Sequence, residues 1–104
     1  LPLADYARSY RVQVERIAAH VPKGSCVLTR GLPRAQLAAL EHFGSFRPNA
    51  TAGLSTPECD YLLVMETRQR ARRDWPGWEY VATARRPTDR EEATAIYRRA
   101  PPGR

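Results

Sequence analysis

The most constraining feature of this 104-residue chain is the run Asp60-Tyr61-Leu62-Leu63-Val64-Met65, its longest apolar stretch. The run is continuous rather than alternating. A strand of that kind has no polar face to turn to water, so it belongs inside a parallel sheet covered on both sides. Everything else in the chain then has to supply neighbouring strands and covering layers.

The covering layers are legible as helical periodicity. From Ala4 to His20, residues Tyr6, Tyr10, Val14, Ile17, Ala18 and Val21 recur at spacings of three and four, which makes one apolar stripe. Arg8, Arg11, Glu15 and Arg16 fall off that stripe, and Pro22-Lys23-Gly24 ends the helix. A second helix follows Gly31, with Pro33 suited to its first turn. Ala35, Leu37, Ala38, Leu40 and Phe43 form its apolar face. Gly44 is expected just past its end, in the left-handed conformation.

Strands fill the gaps. Cys26-Val27-Leu28-Thr29 reads as a strand after a turn, and with the helix after it opens a βαβ unit. Phe46 and Arg47 suit a short edge strand, because Pro48 disfavours a central position. Asn49 to Glu58 is a loop, and Glu66 to Asp74 is expected as a short exposed helix. Trp78 to Ala84 alternates, with Trp78, Tyr80 and Ala82 on one side and Glu79, Val81 and Thr83 on the other. Ala93 to Arg99 suits a closing strand with Ile96 and Tyr97 on opposite faces, although Glu91 to Ala95 is also acceptable helix sequence. The expected fold is α/β. It is a small mixed sheet with a βαβ start and an antiparallel C-terminal hairpin, with helices covering the sheet. Residues 1–104 form a single soluble domain, and no stretch of about 18 apolar residues is present to span a bilayer.

Cys26 opens the first strand and Cys59 immediately precedes the buried one. If those strands are parallel neighbours in register, their starts lie about 5 Å apart, within reach of a disulfide. The alternative is a pair of buried free thiols in a reducing compartment. Two cysteines without CxxC spacing offer too few ligands for zinc.

Net charge is +6, and the basic residues are 16 arginines and the single Lys23. A GC-rich genome accounts for much of that bias. The charge nonetheless favours polyanions, either nucleic acid or an anionic membrane surface. Arg68, Arg70, Arg72 and Arg73 form a dense run with Trp75 and Trp78 close by. The cluster suits contact with anionic lipid head groups or phosphates. The plainer alternative is a solvated helix face beside two half-buried aromatics. The loop Thr29-Arg30-Gly31 offers a weak phosphate cradle before a helix N-terminus.

Catalytic patterns are missing. His20 and His42 sit near helix ends with no acid or thiol at triad or metal spacing. Ser25 and Ser45 lie in no GxSxG context. The glycines form no dinucleotide or P-loop pattern. Asn49-Ala50-Thr51 matches a glycosylation acceptor by chance composition. No catalytic residue, metal ligand or cofactor site is expected, so the readings are a binding or scaffolding domain or a free-standing basic nucleic-acid-binding module. The latter carries no RRM, KH, helix-turn-helix or OB signature.

Three segments together resemble a known family. They are Leu1-Pro2-Leu3-Ala4-Asp5-Tyr6-Ala7-Arg8-Ser9-Tyr10, the stretch Cys26 to Phe43 with Gly31-Leu32-Pro33-Arg34-Ala35-Gln36 and Leu40-Glu41-His42-Phe43, and Cys59-Asp60-Tyr61-Leu62-Leu63-Val64 with the closing Arg85 to Glu91 and Ile96-Tyr97-Arg98-Arg99. They resemble the C-terminal periplasmic domain of bacterial aminoarabinose-transferase and protein-mannosyltransferase-like membrane glycosyltransferases. The resemblance spans nearly all of the chain. It implies a parent enzyme that moves a sugar from a polyprenyl phosphate donor to a lipid A-like or protein acceptor. It further implies that the catalytic acid lies outside residues 1–104, that the partner is the transmembrane part of the same polypeptide, and that the domain sits on the periplasmic face of the inner membrane. Met65-Glu66-Thr67 and the arginine run after it have no counterpart in the pattern, so any acceptor contact there rests on charge alone.

Overall fold

A computed structural model describes residues 2–67, 75–85 and 92–100, the side chains of residues 2–8 excepted. The elements are α1 (Pro2–Ala18), β1 (Cys26–Arg30), α2 (Arg34–Gly44), β2 (Arg47–Asn49), β3 (Tyr61–Thr67), β4 (Trp78–Arg85) and β5 (Glu92–Arg99). One sheet holds all five strands in the order β2-β1-β3-β5-β4. β1 runs parallel to β2 and to β3. β5 runs antiparallel to both β3 and β4. The fold is therefore the expected mixed α/β sheet, with the hairpin at one side. The continuous apolar run is its central strand.

Alternation along β3 separates two cores. Leu63 belongs to the cluster under the helices, with Tyr10, Val14, Ile17, Val21, Val27, Leu40, Phe46 and Ile96. Leu62 and Val64 belong to the other face, with Leu28, Cys59, Trp78, Ala95 and Tyr97. Both helices lie on the first face, whereas the sequence suggested only that helices cover the sheet. The second face is packed instead by Ala52 and Leu54 of the loop between β2 and β3. Handedness explains this sidedness. The β1-to-β2 connection moves one way along the sheet and the β2-to-β3 connection moves back, so crossovers of the same right hand must use opposite faces.

Three local expectations are corrected, and a fourth, which had an alternative, is resolved. Gly44 is the last helical residue, and the left-handed position falls to Ser45 (φ 54°). Ser45 N–H donates to the Glu41 carbonyl at 3.1 Å, and Phe46 N–H donates to that of Leu40 at 3.1 Å. The glycine is needed for room: a Cβ there would lie 2.5 Å from Phe46 Cδ2 and 3.0 Å from Val14 Cγ1. Second, Glu66 and Thr67 are not helical but extend β3, paired with Ala93 and Glu92; residues 68–74 of the expected helix lie outside the described set. Third, the alternation of β4 breaks. Tyr80 pairs with Tyr97 and Ala82 with Ile96, leaving Val81 as the extra residue of a bulge. Trp78 therefore faces the second core while Val81, Ala82 and Ala84 pack on the helix side. Fourth, Glu92 to Ala95 is strand, which resolves the helix alternative.

The helices are also fixed to the sheet by buried polar groups. Gln13 Nε2 donates to the Ala84 carbonyl at 3.1 Å and to Thr94 Oγ1 at 3.3 Å. Gln36 Nε2 donates to the same hydroxyl at 2.6 Å. Thr94, on β5, thus anchors α1 and α2 together. Arg16 Nη1 donates to the Arg85 carbonyl at 2.8 Å, so α1 also holds the end of edge strand β4.

Candidate functional site

The two cysteines meet where their strands begin. Val27 is in register with Tyr61, which sets Cys26 and Cys59 at adjacent strand starts. Their Cα atoms are 4.8 Å apart and the sulfurs are joined in a disulfide. Cys59 is fully buried, against Leu28 and Leu62. Parallel pairing of β1 with β3 is the cause of this geometry, as the placement of the cysteines suggested.

The loop that closes the second face is held by arginine. Arg99, from β5, donates Nη2 to the Cys59 carbonyl at 2.5 Å and to that of Thr56, and Nη1 to that of Leu54 at 3.4 Å. Its guanidinium carbon lies 4.5 Å from the centre of the Trp78 ring, a cation–π stack. Arg30, from β1, donates Nη2 to the Ala52 carbonyl at 2.5 Å and Nη1 to that of Ala50 at 3.4 Å. Asn49 Oδ1 accepts from Thr51 N–H at 3.1 Å and Ala52 N–H at 3.0 Å, which turns the chain into the loop. A hydrogen bond from a charged donor contributes about 1.5–3 kcal/mol. The ion pair of Arg99 with Asp60, at 3.6 Å, adds little because Asp60 is 73% exposed.

These contacts decide which of the residues singled out from sequence are free to meet a partner. Trp78 is 8% exposed and lies beneath Arg99. Trp75 is half-buried, its ring 6.4 Å from that of Tyr97. Of the two tryptophans, Trp75 alone keeps appreciable surface. Arg68, Arg70, Arg72 and Arg73 lie outside the described residues. Nine of the 17 basic residues and seven of the 11 acids have described side chains. They sum to +2, so +4 of the +6 excess resides in the remaining segments. Charge available to a polyanion is therefore concentrated there by sequence, and Arg30 and Arg99 are already committed to carbonyls.

The Thr29-Arg30-Gly31 cradle does not form. Thr29 is buried at 1% exposure, and Arg30 reaches the loop on the sheet face away from α2. Gly31 keeps φ at +80° and passes close to Met65, whose Cβ would be 3.3 Å from an added one. His20 and His42 are both exposed, and His42 packs edge-on to Phe43 at 4.7 Å. Ser25 Oγ donates to the Pro22 carbonyl at 2.6 Å and closes a turn. Among the described residues, no group of three His, Cys, Asp or Glu side chains is placed to hold a metal.

Among the described residues, one cleft opens between α1, α2, the start of β5 and the carboxyl end of β3, lined by Tyr10, Gln13, Gln36, Met65, Glu92, Ala93 and Thr94. Such ends are the usual ligand crevice of an open α/β sheet. Here the space amounts to about 190 Å³, open solvent at its mouth included. Its polar lining is largely the helix anchor already described.

Sequence reasoning missed the two arginine clamps. Their only signal was position: Arg30 ends a strand and Arg99 nearly ends the chain, on faces that register alone reveals. Comparison with family models, curated proteins and solved structures finds no match to this chain.

Proposed function

We propose that this chain is a non-catalytic extracytoplasmic domain of a bacterial integral-membrane glycosyltransferase. The parent enzyme transfers a sugar from a polyprenyl phosphate donor to a lipid A-like or protein acceptor, and the domain works at the periplasmic face of the inner membrane against the transmembrane part of the same polypeptide. The observation that carries this reading is the Cys26–Cys59 disulfide. Pairing of the chain's two cysteines suits an oxidising compartment. The resemblance of residues 1–10, 26–43 and 59–64 to the periplasmic domains of such enzymes supports it. No helix among the described residues is long and apolar enough to cross a membrane.

The reading frame around residue 1 tests this proposal. A frame that continues upstream through several apolar spans of about 20 residues supports it. A frame that starts at a methionine just before Leu1, with no export segment, overturns it.

The arginine run, which precedes Trp75 in sequence, is the proposed contact with anionic lipid head groups. The protein is expected to sediment with vesicles containing phosphatidylglycerol, and less so as salt rises through the range where the Debye length falls below about 10 Å. Replacing Arg70, Arg72 and Arg73 with alanine is expected to reduce binding at least tenfold at low salt. Unchanged binding removes lipid contact from the account and leaves the scaffold role standing.

A further inference from the structure

We draw no further inference here: the strongest candidate, the cleft between α1, α2, the start of β5 and the carboxyl end of β3, includes the Gln13–Gln36–Thr94 anchor that fixes the helices, and nothing in the structure shows what occupies it.

Discussion

Reducing the Cys26–Cys59 disulfide, or replacing both cysteines with alanine, is expected to lower stability by about 3–4 kcal/mol. The two residues are 33 apart in sequence, and closing a loop of that length removes entropy worth this much from the unfolded chain. A domain of this size has roughly 5–15 kcal/mol in all. The loss is accordingly a large fraction, and the melting temperature is expected to fall by roughly 15–25 °C. The link also holds Cys59 beside Arg99, whose guanidinium takes the Cys59 carbonyl. Freed, the loop between β2 and β3 keeps the arginine clamps and the packing of Ala52 and Leu54 over the second face. Thermal and urea unfolding with and without a phosphine reductant measure the effect. A shift under about 1 kcal/mol would mean that the second face holds the loop without the crosslink.

The second large effect sits where α2 turns into β2. Phe46 is 2% exposed, and its ring occupies the space a side chain at Gly44 would need. Phe46→Ala is expected to cost about 3–5 kcal/mol through the cavity it leaves. Gly44→Ala is expected to cost about 1–3 kcal/mol by overpacking against Phe46 and Val14, although alanine is the better helix former by about 1 kcal/mol. The two changes must then couple. In the Phe46→Ala background the ring is gone, and Gly44→Ala is expected to be neutral or stabilising. A double-mutant cycle in urea reads this as an interaction of about 1–3 kcal/mol. Additive losses would show that the glycine serves some purpose other than admitting the ring.

This pair also shows what a sequence conceals. A glycine at a helix end has two common uses, a left-handed backbone and a close approach. Spacing along the chain does not distinguish them. Ser45 takes the left-handed position because its neighbour was needed for room. The bulge at Val81 was hidden for a related reason: strict alternation from Trp78 to Ala84 looks the same whether or not the partner strand skips a residue. Arg30 and Arg99 look like the other arginines in a basic chain, and only the route of the 50–59 loop makes them clamps.

The central strand was legible because continuous apolarity has few outlets in a folded sheet. Ile96 and Tyr97 were legible on opposite faces because a strand's side-chain period is two. The disulfide was legible because both cysteines mark strand starts, so parallel pairing brings them together. The proposed contact surface was legible only as composition: Arg68, Arg70, Arg72 and Arg73 are defined by charge, while Trp78 beside them turned out to be core.

The most direct measurement is the thiol state of the protein in cells that express it from its own gene. The protein is quenched in acid, unfolded without reductant and treated with an alkylating reagent, and the peptides carrying Cys26 and Cys59 are weighed by mass spectrometry. A crosslinked peptide pair, with no alkylation until reductant is added, is the predicted result. Two alkylated cysteines in the untreated sample would contradict it and remove the reason for placing this domain outside the cytoplasm.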